Sequence, residues 1–116
     1  MSVKIFDFKI LTESQIGIIF SRLAEAPKLY ETEDMKVKEV AVKLFNPHMT
    51  LYVVEYDEDT KVAFGYVKNE LDPSLSEWGY SSLDLMMGLG FEMDLYFENK
   101  VIDFEGNIDD KEVLDV

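Results

Sequence analysis

The 116-residue chain has no cysteine and a single histidine, His48. Without thiols there is no disulfide, no thiolate metal site and no cysteine nucleophile. One imidazole leaves no histidine cluster for zinc and no Ser-His pair at a recognisable spacing. No apolar run approaches the ~20 residues that a membrane helix needs, and the N-terminal MSVKIFDFK lacks the basic-then-apolar form of a signal peptide. The expected location is therefore the cytoplasm, with no membrane contact. Neither a repeat nor a linker breaks the chain, and its length fits a single core.

Basic residues are also scarce, and unevenly so. Lys and Arg total 11 against 24 Asp and Glu, for a formal net charge of -13. Residues 1–68 hold 11 acids and 9 bases, whereas residues 69–116 hold 13 acids and only Lys100 and Lys111, so the two parts carry -2 and -11. Nucleic-acid affinity rests on Lys and Arg displacing counterions, so direct binding to a phosphate backbone is disfavoured and a basic protein partner is favoured. Acidity of this kind also serves plain solubility.

What is present is 47% apolar residues arranged in short, punctuated segments. The run VKIFDFKIL, residues 3–11, reads as a strand with an edge that a second copy of the chain could pair with, giving a homodimer. Thr12 to Gln15 form a capping box, and Ile16, Ile19, Phe20 and Leu23 follow at helical spacing until Pro27, which predicts a helix over 12–25. Residues 29–39 mix charges without a period and read as a loop. KEVAVKLFN, residues 38–46, alternates as a strand does, and Asn46-Pro47 ends it. MTLYVVEY and VAFGYVK flank the polar DEDTK and predict a β-hairpin. Gly65 inside the second strand implies a bulge or a close approach from opposite.

Residues 69–79 read as a loop, SLDLMM as a short serine-capped helix stopping at Gly88, and FEMDLYFEN as a last strand. That strand would place Met93, Leu95 and Phe97 on one face and Glu92, Asp94, Tyr96 and Glu98 on the other. The expected fold is α+β. Antiparallel strands at 38–45, 49–56, 62–68 and 91–98, with a fifth at most, form one sheet, the N-terminal helix covers one face, and the short helix precedes the last strand. One compact domain would span 1–106, followed by an acidic, flexible tail at 107–116.

The order of segments bears a resemblance. Leu29-Tyr30-Glu31-Thr32-Glu33, Phe45-Asn46-Pro47, Glu55-Tyr56-Asp57 and Phe64-Gly65-Tyr66-Val67 are followed by Glu77, Gly79-Tyr80, Ser82-Leu83, and finally Glu92, Asp94 and Phe97. Over about residues 10 to 98 this resembles the domain of unknown function 2958 family, small proteins of bacteria and of their plasmids and phages. Two departures stand out: Met93 where the family pattern has Arg between two acids, and Tyr52 where it usually has Trp. Without that Arg, Glu92 and Asp94 lose an obvious ion-pair partner. The resemblance implies a fold and a mobile-element habitat, and brings no assigned activity, cofactor or catalytic residue.

Two kinds of chemistry compete for the carboxylates. A metal-dependent hydrolase or nuclease would need Glu55, Asp57, Glu92 and Asp94 to converge on Mg²⁺ or Mn²⁺, with His48, Lys43 or Lys68 to manage phosphate or proton. Asp57-Glu58-Asp59 lacks the glycine and the distant bidentate Glu of a calcium loop and reads as a solvated hairpin tip. The favoured alternative needs no metal or cofactor. In it, Glu77, Asp84, Glu92, Asp94 and Glu98 form an anionic surface with Trp78 as an aromatic contact, which imitates a phosphate backbone and occupies the groove of a basic nucleic-acid-binding enzyme such as a restriction or CRISPR nuclease. Tyr80 is expected to pack in the core. A third reading is a structural accessory protein without activity.

Overall fold

A computed structural model describes residues 13–94 and 96–111 of the chain. Its elements run α1 (Glu13–Glu25), β1 (Val37–Glu39), β2 (Val42–Phe45), β3 (Met49–Asp57), β4 (Val62–Asn69), a 3-10 turn (Pro73–Leu75), β5 (Glu77–Ser82), α2 (Leu83–Gly88), β6 (Glu92–Met93), β7 (Lys100–Asp103) and β8 (Ile108–Asp110). The fold is α+β, as the segment pattern predicts, but it has two antiparallel sheets where one was expected. Five strands pair in the order β5-β4-β3-β2-β6, and three in the order β1-β7-β8. The expected strand at 3–11, the Thr12 cap, Leu95 and residues 112–116 lie outside the described residues.

The large sheet is buried on both sides, which explains the nearly continuous apolar run of β3. One face carries Leu51, Val53, Val42, Leu44 and Ala63, packed under Ile19 and Leu23 of α1 and Leu83 and Met86 of α2. The other face carries Tyr52, Val54, Phe64 and Tyr66, packed with Val40, Phe97, Ile102 and Ile108 from the chain around the small sheet. Ile19 and Leu23 are one helical turn apart and face inward together, and Pro27 prevents a further turn after Glu25.

Four expectations change. The strand read at 38–46 is two strands in different sheets. At the corner the Val40 N–H donates to Lys100 O and the Ala41 N–H to Val53 O, so the chain crosses from one sheet to the other. Glu77 to Ser82, expected as loop and turn, form the edge strand β5, whose Trp78 and Tyr80 stand opposite Tyr66 and Phe64. The last strand shrinks to Glu92–Met93, because the Tyr96 N–H donates to Asp94 Oδ1 (3.0 Å) and the Phe97 N–H to Asp94 O, bending the chain away. The expected flexible tail contains β8, joined to β7.

The hairpin itself is found, with a bulge at its middle. Val53 pairs with Gly65 and Glu55 with Phe64, leaving Val54 as the extra residue. A β-carbon on Gly65 would lie 2.0 Å from the Tyr52 carbonyl oxygen, so the glycine is required by a close backbone approach. The bulge also shifts the phase of β3. Odd-numbered Leu51 and Val53 face the helices, but after it Tyr56 takes that side and Glu55 turns to the opposite one, beside Phe64.

Candidate partner-binding surface

Glu55 is 2% exposed, and its carboxylate accepts hydrogen bonds from the loop after α1. Its Oε1 accepts from the Tyr30 N–H (2.8 Å) and its Oε2 from the Thr32 N–H (2.9 Å) and the Thr32 hydroxyl. Lys38, also buried, donates through Nζ to the Thr32 carbonyl and to its Oγ1 (3.1 Å). Two buried charges of opposite sign thus meet through one threonine, which ties β3 of the large sheet to β1 of the small one. A carboxylate committed to three donors is a structural anchor.

What the anchor presents is Tyr30. This residue has φ +74°, a conformation that a residue with a β-carbon adopts at a cost of about 1 kcal/mol, and it is 61% exposed. Its ring lies 6.2 Å from that of Tyr80, tilted by 54°. Tyr80 is 53% exposed and rests on Phe64 (4.8 Å), which stacks on Trp78 (5.6 Å). Burial, a hydrogen bond with Tyr30, and the charges of Glu55 and Glu33 push the Tyr80 phenol above its ordinary pKa. The roles expected for the two β5 aromatics are therefore reversed. Trp78 is the partly buried one, its Nε1 donating to Phe104 O (2.8 Å), and Tyr80 is at the surface.

Around this pair the hairpin end of the molecule is acidic. A cleft of about 560 Å³ separates the end of α1, at Leu23 and Ala24, and the following Ala26 from the hairpin tip Asp57-Glu58-Asp59. The cleft lies at the C-terminal end of α1, the negative end of its dipole. The Asp57 carboxyl is held below its ordinary pKa by the Thr60 hydroxyl (2.8 Å) and the Asp59 N–H (3.0 Å). Tyr56, on the cleft wall, is raised by burial first and then by Asp84, Glu58 and Asp57. Lys28 lies on the rim, and Lys61 approaches Asp84 Oδ1 to 3.9 Å.

The six residues expected to form one anionic surface stand in two groups at opposite edges of the large sheet. Glu77, Trp78 and Asp84 belong to β5 and α2, while Glu92, Asp94 and Glu98 lie on and after β6, at the opposite edge of the five-stranded sheet. Four strand spacings of ~4.8 Å put these edges roughly 19 Å apart. The second group also meets cations from elsewhere in the chain: Lys43 lies 3.6 Å from Asp94, and Arg22 lies 3.4 Å from Glu98. A stretch without Lys or Arg thus acquires both through the fold.

The four carboxylates considered for a metal are likewise separated. Glu55 serves the loop, Asp57 caps the hairpin turn, Glu92 lies on the edge strand β6, and Asp94 just after it pairs with Lys43. Among the described residues no group of three or more His, Asp or Glu is placed to hold a metal ion. No described helix is long and apolar enough to cross a membrane. Comparison with protein-family models, with curated proteins and with solved structures finds no match.

Sequence reasoning passed over Tyr30, Thr32 and Lys38 as site residues. The available signal was Glu55 itself, a lone acid inside MTLYVVEY, because a carboxylate in a run buried on both faces must find donors.

Proposed function

We propose that this protein is an acidic binding module that docks a basic partner protein through its hairpin end. The observation that carries this reading is the cleft between α1 and the hairpin tip, where Asp57, Glu58 and Asp59 share a lining with the C-terminal end of α1 and with exposed Tyr30, next to exposed Tyr80. An overall charge of -13 adds long-range attraction for a cationic groove and repels phosphate. The resemblance to the domain of unknown function 2958 family, with its plasmids and phages, supports a partner among host nucleic-acid-binding enzymes, restriction or CRISPR nucleases included. In that role the acidic end takes the place of a nucleic-acid backbone.

The test is capture from nuclease-treated bacterial lysate on the tagged protein, with washes at about 0.1 M and then about 0.5 M salt. The expected result is a basic nucleic-acid enzyme that leaves at high salt, is displaced by duplex DNA, and is not captured when Asp57, Glu58 and Asp59 are all changed to Lys. The parallel variant Glu92→Lys with Glu98→Lys retains it. Equal capture by the Asp57/Glu58/Asp59 variant, or no displacement by DNA, removes the proposal.

A further inference from the structure

The Tyr30–Tyr80 pair is more elaborate than a hydrophobic lid requires. A turn that needed only positive φ at position 30 would take Gly or Asn without strain. Here the strained residue is a tyrosine, its amide is fixed by a buried carboxylate, and the residue is left 61% exposed. Backbone strain held by a buried anchor and spent on an exposed side chain is an arrangement typical of binding sites. Tyr80 is positioned with equal care, set on Phe64 and, through it, on Trp78. Two such rings can serve a nucleobase or a cation, and charge decides between them. The ring faces are electron-rich, Glu33 and the buried Glu55 act on the Tyr80 hydroxyl, and the tip Asp57-Glu58-Asp59 flanks the same loop. This environment disfavours a phosphodiester and favours a cation over the rings.

We propose that Tyr30 and Tyr80 form a receptor for one guanidinium or ammonium group, the side chain of an Arg or Lys on the basic partner. The receptor rests on the partner reading above and gives it a point of specific contact, where the acidic cleft supplies only a field. A flat guanidinium stacks on one tyrosine face while its N–H groups reach the carboxylate of Glu33 or the phenol oxygens.

Small cations test this without the partner. Tetramethylammonium, guanidinium and N-acetyl-arginine amide would be titrated into the full chain, with N-acetyl-citrulline amide as the neutral control, and followed by NMR of the tyrosine ring protons and of the ligand methyl groups. The expected result is saturable shifts centred on Tyr30 and Tyr80, an upfield shift of the tetramethylammonium methyls, and no response to citrulline. Tyr80→Phe keeps a face and keeps binding, whereas Tyr80→Leu weakens it by about fivefold or more. Tyr30→Gly, which relieves the backbone strain, loses binding while the folded spectrum persists. Shifts that do not saturate, that citrulline reproduces, or that survive both Tyr80→Leu and Tyr30→Gly overturn the receptor. The two proposals fail separately. Partner capture unchanged in the Tyr30→Gly, Tyr80→Leu double variant removes the receptor and leaves the acidic-module reading. Cation binding at the rings without any captured basic partner removes the acidic-module reading and leaves the receptor.

Discussion

At the scale of single residues, the most consequential group is the carboxylate of Glu55. It satisfies two backbone N–H groups and one hydroxyl, and the two donors of Thr32 are buried. Glu55→Ala is therefore expected to cost about 3–5 kcal/mol, the range for removing one side of a buried charged network. Thr32→Val, which removes only the bridging hydroxyl, is expected to cost about 1–2 kcal/mol. Urea denaturation checks both, and a loss below ~1 kcal/mol for Glu55→Ala would show that the loop is held by other contacts. Amide exchange at Tyr30 and Thr32 should accelerate in Glu55→Ala ahead of exchange in β3, because their amides lose their acceptor while the ladder persists. The same residue shows how the site was and was not legible. Its chain position marks it as a buried acid, but its donors come from residues 23 and 25 positions earlier, and no local pattern links them.

At the scale of elements, the hairpin β3–β4 was readable because its signals are local: β-branched and aromatic runs on either side of a polar turn. The helix α1 was readable for the same reason. The small sheet was not, since β1, β7 and β8 are three or four residues each, too short for alternation to register, and the β1–β7 pairing joins segments some 60 residues apart. β5 was missed because Gly79 and the serines dilute its strand character, and the aromatics Trp78 and Tyr80 are explained only by Tyr66 and Phe64 opposite them. The paired glycines of β4 and β5 give a sharp contrast. Gly65→Ala places a methyl 2.0 Å from a backbone carbonyl, with the bulge fixing that carbonyl in place, and is expected to cost about 3 kcal/mol or more. Gly79→Ala, at the directly opposite register position, meets nothing within 4 Å and is expected to be neutral or to stabilise by up to about 1 kcal/mol through the unfolded chain. Denaturation midpoints of the two variants read this directly. Similar losses at both positions would mean that strand glycine, and not the close approach of Tyr52, governs the hairpin.

At the scale of the whole molecule, charge sets the conditions under which any of these contacts operate. The folded chain gathers its acids more closely than the unfolded one, so self-repulsion at a net charge of -13 opposes folding and is relieved by salt. The melting temperature is expected to rise by about 5 °C between about 0.02 M and 0.3 M NaCl near neutral pH. The pH limits follow from named groups. Asp57 and Asp103 have folded pKa values lowered below 3.8, by the Thr60 hydroxyl and by the Asn107 backbone N–H respectively, so their contribution is present above 3.8 and is lost as pH falls through the folded values. Tyr52 and Tyr56 are raised above 10.0 by burial, so stability is intact below 10.0 and falls as pH rises through their folded values, when the buried phenols must ionise. A thermal scan across pH and salt would show these two limbs at either end and the salt response between them. The salt response bears on function as much as on stability. A melting temperature indifferent to salt would mean that the acids are solvated one by one and produce no joint field at the hairpin end, and a surface without such a field has no means of drawing a basic groove toward Tyr30 and Tyr80.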